Sequence, residues 1–202
     1  FIDDKEDGMW VRFHNNGNIR EIVNFKDGLI YGTRILLDKK GKLTLQENYK
    51  LNNLHGSQKY FHDTGKLKME VNYDNGVLIG QFMKYYRNGK KQESCFYKEG
   101  QKHGKAFWFF ENESISIEYN YENGKINGIA KTFFEDGTLK SESNYLNNEL
   151  NGEKKEYYLS KNIKTKGIYK NGKKEGKWYS YDEKGAILEI TKYKNGIKKW
   201  RK

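Results

Sequence analysis

What this chain has little of narrows the possibilities first. A single cysteine, Cys95, excludes an internal disulfide framework and a multi-cysteine metal site, and leaves the redox compartment open. No run of about 18 apolar residues occurs, so no segment reads as a membrane-spanning helix. Hydrophobic residues make up only 35% of the 202, too few for one thick globular core. Aromatics at 15% are too many for a disordered chain. A thin, aromatic-rich assembly satisfies both limits, and the length admits one domain or two. The first residue is Phe1 rather than Met, from which we expect a processed or trimmed N-terminus, and a secreted or cell-envelope protein in preference to a cytoplasmic one.

What the chain has in abundance is repetition. Gly8, Gly32, Gly56, Gly80, Gly104, Gly128, Gly152 and Gly176 stand 24 residues apart without insertion or deletion, the mark of a repeat architecture. A second column holds Gly17, Gly41, Gly65, Gly89, Gly137 and Gly185, with Glu113 and Lys161 in the two remaining copies. A third holds Gly28, Gly76, Gly100, Gly124, Gly172 and Gly196, completed by Asn52 and Asn148; Asn is the next most tolerant residue of a left-handed backbone. One column is aromatic in every copy: Phe25, Tyr49, Tyr73, Tyr97, Tyr121, Tyr145, Tyr169 and Tyr193. Another is apolar throughout: Phe13, Leu37, Phe61, Tyr85, Phe109, Phe133, Tyr157 and Tyr181. The chain divides into a lead-in at 1–7, eight tandem repeats over 8–199 starting at 8, 32, 56, 80, 104, 128, 152 and 176, and a basic tail at 200–202.

Each unit is too short for two packed helices and carries no 3.6-residue stripe. Two runs rich in Tyr, Phe and Ile, separated by turn signals, predict a β-hairpin. Residues paired across a hairpin point to one face, so side-chain parity reports turn length. A two-residue turn at Asn16-Gly17 would pair Phe13 with Arg20; a three-residue loop pairs Phe13 with Ile19, Phe61 with Leu67, Phe109 with Ile115 and Phe133 with Leu139. The three-residue loop, with a bulge at the second glycine column, is therefore expected. The same parity test predicts a longer, odd-length second connection, which sets the Phe13 and Phe25 columns on one face. Lys, Glu and an Asn column of Asn24, Asn48, Asn72, Asn120 and Asn144 then lie on the other. The fold class expected is all-β, an elongated single-sheet β-meander or solenoid of eight hairpins, whose sixteen strands at about 4.8 Å each would reach roughly 75 Å. With no second layer, its apolar face closes on itself or stays open as a groove.

The phrase G-x-x-x-x-[YF]-x-x-x-G-x-[LI]-x-x-E-x-x-Y-x-x-G-x-x-x-G, repeated from about Gly8 to Gly196, resembles the MORN-variant repeat. That repeat is the bacterial relative of the membrane occupation and recognition nexus repeat, found in YwqK-like antitoxin proteins. The resemblance implies a non-enzymatic scaffold that binds protein or lipid: an antitoxin beside its toxin, or a secreted or envelope factor. It implies no catalytic residue, metal or cofactor. Glu113 and Lys161 depart from the pattern, so a different turn geometry is expected at those tips.

A search for chemistry agrees. His14 and His62 share one column and His55 and His103 another, each pair 48 residues apart. Two repeats of separation, about 19 Å, is too far to share a metal ion. Glu70, Glu118 and Glu142 recur as a column and read as partners of solvated lysines rather than as an acid/base pair. Cys95 stands where Val71 stands in its repeat and reads as a small buried hydrophobe.

Charge is more informative. Residues 152–202 hold 16 Lys and Arg against 6 Asp and Glu, a net of +10 out of the chain's +11. One reading is a capping repeat whose lysines protect a strand edge. The other is a docking patch for an acidic protein or, as the alternative, an anionic membrane surface, with Lys192, Lys194, Lys198, Lys199, Trp200, Arg201 and Lys202 as the binding residues. Nucleic acid is disfavoured, because most aromatics belong to the packed columns.

Overall fold

The structure, a computed structural model, describes Phe1 and residues 4–199. It is all-β: twenty strands, every pairing antiparallel, in two compact units, Phe1–Gln101 and Lys102–Lys202. The chain contains no proline, so no strand loses a ladder donor to a pyrrolidine ring.

The first unit runs through the hairpins Gly8–Phe13 with Ile19–Lys26, Gly32–Leu37 with Leu43–Lys50, Gly56–Phe61 with Leu67–Asp74, and Val77–Tyr85 with Lys91–Lys98. The second runs through Gln101–Phe109 with Ile115–Glu122, Gly128–Phe133 with Leu139–Leu146, Glu149–Tyr157 with Ile163–Lys170, and Lys173–Tyr181 with Ile187–Lys194, and Ile197–Lys199 pairs with the last of these.

The hairpin tips are the expected three-residue loops. Phe13 faces Ile19 and Phe61 faces Leu67; in the second unit Phe109 faces Ile115 and Phe133 faces Leu139. His14 N–H donates to Asn18 O at 2.8 Å and Gly17 N–H to His14 O at 3.0 Å, with Gly17 at φ +84°. Glu113 and Lys161 adopt the same turn, at φ +73° and +68°, with the same pair of hydrogen bonds. The different geometry expected there is not found: the ladder on either side dictates the turn, and these two side chains tolerate a left-handed backbone at some cost.

Two expectations are corrected. Each second connection is a two-residue turn, as in Lys26 opposite Leu29 and Glu122 opposite Lys125. Both turn residues have positive φ, Asp27 and Gly28 at 53° and 80° in the first copy, which is the type I′ geometry that Asn-Gly and Asp-Gly favour. A second irregularity follows every tip, where one residue of the returning strand drops out of register: Arg20 in the first hairpin, since Arg12 faces Glu21 while Phe13 faces Ile19. Phe13 stands five positions after Gly8, an odd offset that puts it on the other face, and Gly8 faces Phe25. The Phe13 and Phe25 columns therefore lie on opposite faces, and the Phe13 column shares its face with the Asn column and the Lys–Glu pairs.

The core lies on the other face, here the tyrosine face. Its buried apolar positions are Val23, Val71 and Cys95 in the first unit and Ala106, Ala130 and Trp178 in the second, joined by the polar Glu21, Glu47, Gln58, Ser143 and Thr191. Cys95 is a buried thiol, as its column suggests. The aromatic column rims this core and packs edge to face on it: Tyr169 to Trp178 at 5.1 Å and Trp178 to Tyr193 at 6.3 Å.

Candidate functional site

On the asparagine face, Asn24, Asn48, Asn72, Asn120 and Asn144 each donate a side-chain N–H to a backbone carbonyl across the next strand, that of Thr33, Ser57, Gln81, Asn127 and Glu153 respectively. The column is thus a structural staple. Phe96, Ile168 and Lys192 occupy the remaining copies, and all three are exposed.

Two further series of hydrogen bonds link successive repeats within the units. At the type I′ turns they are backbone bonds, such as Gly76 N–H to Leu54 O and Gly172 N–H to Leu150 O, both within 2.9 Å. At the tips they are made by side chains. His14 and His62 donate to the Leu37 and Tyr85 carbonyls at 3.0 Å, which assigns those histidines to structure. Among the described residues no group of three or more His, Cys, Asp or Glu is placed to hold a metal ion.

On the tyrosine face of the first unit lies an ionic network. Glu21 accepts from Arg12 at 2.8 Å and from Arg34 at 2.7 Å; Arg34 also donates to Glu47 at 3.0 Å, and Tyr49 O–H donates to Glu47 at 3.1 Å. Burial pushes the Glu21 carboxyl up, but the hydrogen bonds and charges of the two arginines outweigh it and hold the group below the usual carboxylate range. Burial and Glu47 push the Tyr49 hydroxyl up. Each of its charged groups has a partner within the network.

The charge of the last two hairpins is segregated by register. Lys166 faces Tyr179, Lys170 faces Lys173, Lys177 faces Lys192, Lys192 faces Lys199 and Lys194 faces Ile197, all on the asparagine face. Glu149, Glu153 and Glu175 are strand carboxylates of that face; Glu153 is taken by Lys155 at 2.7 Å, and Glu175 accepts from the Asn195 backbone N–H at 2.7 Å. The tyrosine face is balanced: Lys154 pairs with Glu156, Lys198 pairs with Glu189, each at 2.9 Å, and Lys174 lies 4.1 Å from the Trp178 ring centroid. Lys177, Lys192 and Lys199 form an exposed row of like charges directly opposite one another, an arrangement that costs ladder stability. Ile168 and Ile190, 55% and 49% exposed, lie on the same face, as do Tyr179 and Tyr181, which are stacked at 6.3 Å with Lys166 beside them.

Of the residues singled out from sequence, the whole aromatic column is brought to one side of its sheet in each unit. Lys192, Lys194 and Lys199 share the basic face, and Lys198 is on the opposite one. Trp200, Arg201 and Lys202 lie outside the described residues. Sequence reasoning missed Lys166, Lys170, Lys173 and Lys177; the column positions contained the signal, but only the register reveals that they share a face.

Two solved structures align weakly. A GtfA/B complex bound to UDP and GlcNAc is 18% identical, with a TM-score of 0.24, over 57% of this chain and 23% of that one. An alternansucrase in complex with isomaltononaose is 16% identical, with a TM-score of 0.14, over 95% of this chain and 18% of that one. The chain thus spans about a fifth of the length of those chains, and neither likeness bears on function. No match is found among curated proteins. The family described as MORN repeat variant matches residues 6–27, 54–75, 78–99, 102–123, 126–147, 150–171 and 174–195. These segments make up well over half of the sequence, and the chain belongs to the MORN repeat variant family.

Proposed function

We propose that the protein is a non-enzymatic scaffold that binds an acidic protein through the asparagine face of its last two hairpins. Repeats of this family are generally modules of protein or membrane interaction. The observation that carries the reading is the Lys177, Lys192 and Lys199 row: like charges held opposite one another at a cost to folding, beside exposed Ile168 and Ile190. Acidic groups arriving from a partner would relieve that repulsion, and the isoleucines supply apolar contact. In an antitoxin or immunity role the partner is a toxin; in a secreted or envelope role it is a host or envelope protein.

The test is a charge-reversed variant, Lys177→Glu with Lys192→Glu and Lys199→Glu, compared with the native chain in pull-downs from native extract at low and high salt. A partner retained by the native chain at low salt, and lost from the variant, supports the reading. Equal retention by both sinks it. The second reading, an anionic membrane surface, is favoured by the exposed isoleucines among lysines, and liposome flotation with and without anionic lipid separates it from the first.

A further inference from the structure

The series of bonds at the hairpin tips is broken in one place. Within each unit a tip side chain reaches the next tip: Asn16 donates to Lys39 O, Lys42 to Asp63 O, Lys66 to Asn88 O, Asn112 and Ser114 to Glu135 O, and Asn162 to Glu183 O. Among the described residues no hydrogen bond joins the tip at 134–138 to the tip at 158–162. The reason is local. Phe134 offers no side-chain donor, and Asp136 carries a carboxylate, which can only accept, as it does from the backbone N–H of Thr138 at 2.8 Å.

A cleft of about 510 Å³ opens there, lined by Asp136, Gly137, Thr138, Leu139, Tyr157 and Lys161. Its apolar part is Leu139 and the Tyr157 ring, which the register puts on the asparagine face. The Tyr157 hydroxyl is anchored on Glu142 at 3.2 Å, so the ring has a fixed place. Lys161, exposed at the rim, puts an ammonium where six of the eight tips have glycine.

Resting on the protein-partner reading above, we propose that this cleft is an anchor site for an acidic peptide segment of the partner, which inserts one aromatic side chain over Leu139 and Tyr157. The choice of an acidic segment follows from the surrounding charge: the lining holds one carboxylate, Asp136, against one ammonium, Lys161, and the adjoining residues 152–202 carry a net +10. A carboxylate beside the inserted side chain meets the Lys161 ammonium, and an aromatic ring packs on Tyr157 in the offset or edge geometry that rings favour. A basic segment would meet that field with the wrong sign.

The probe is acetyl-Glu-Trp-Glu-amide, titrated into the isotopically labelled full chain and followed through backbone amide resonances, with acetyl-Gln-Trp-Gln-amide as the neutral control. Saturable shifts centred on Gly137, Thr138 and Leu139, about tenfold weaker for the control and for Lys161→Gly, are expected. Asp136→Asn with Thr138→Ser gives this tip the donors that Asn112 and Ser114 use, closing the cleft without unfolding it. That variant should melt no lower than the native chain and lose the peptide shifts. Undiminished binding by the closed variant, shifts mapping to the lysine row, or no saturable shift at millimolar peptide would each overturn the assignment. If the charge-reversed variant releases the natural partner while the closed variant keeps it, the partner reading stands and the cleft assignment falls.

Discussion

Tyr121 lies directly opposite Gly104 across the ladder, and the same pairing of the aromatic column with the strict glycine column recurs in all eight hairpins. The two most regular columns of the sequence are thus one structural device. Each glycine has positive φ, +74° at Gly104, a backbone conformation that a residue without a Cβ adopts without strain.

A Cβ at Gly104 would meet nothing within 4 Å, whereas one at Gly152, φ +115°, would lie 3.0 Å from the Asn144 Cβ. Gly104→Ala should therefore cost about 1–2 kcal/mol, from backbone conformation alone, and Gly152→Ala should cost more. Urea denaturation of the two variants ranks them; equal losses would contradict the account.

Trp178 lies flat against Gly167, where a Cβ would fall 2.3 Å from the indole. Gly167→Ala is expected to cost about 2–3 kcal/mol by overpacking. Adding Trp178→Phe should restore part of it, with a coupling of about 1 kcal/mol in a double-mutant cycle. Strict additivity would show that the two residues do not share the space.

Glu113 and Lys161 hold the left-handed tip position without being glycine. Glu113→Gly and Lys161→Gly should each stabilise the fold by about 1 kcal/mol, read as a higher melting midpoint.

The Glu21 carboxyl titrates below its usual range in the folded chain because Arg34 and Arg12 donate to it against the effect of burial. A carboxylate lowered on folding adds stability above its unfolded value of about 4.3, and that stability is lost as pH falls through the lowered folded value. The first unit should weaken over that acid window. Glu21→Gln should cost about 2 kcal/mol at neutral pH and flatten the acid limb; a limb of unchanged slope would assign acid lability elsewhere.

The three-residue tip was legible because Phe13, Phe61, Phe109 and Phe133 each found an apolar partner only under that loop length. The second connection was misread for an instructive reason. Its parity was inferred by requiring Phe13 and Phe25 to share a face, and the register break at Arg20 removes that requirement. The Asp27-Gly28 dipeptide and its later Asn-Gly counterparts already indicated a type I′ turn. The basic site was half legible: net charge pointed to the last two hairpins, but Lys198 was grouped with Lys192 although they point to opposite faces.

The sequence by itself determined the repeat, the hairpin unit, the tip loop and the aromatic column, because each follows from spacing within 24 residues and from the backbone freedom of glycine. Only the tertiary structure decided which columns share a face, where charge is segregated and where the tips come apart. Those outcomes depend on bulges that shift side-chain parity, and on whether a side chain at one tip reaches a carbonyl in the next.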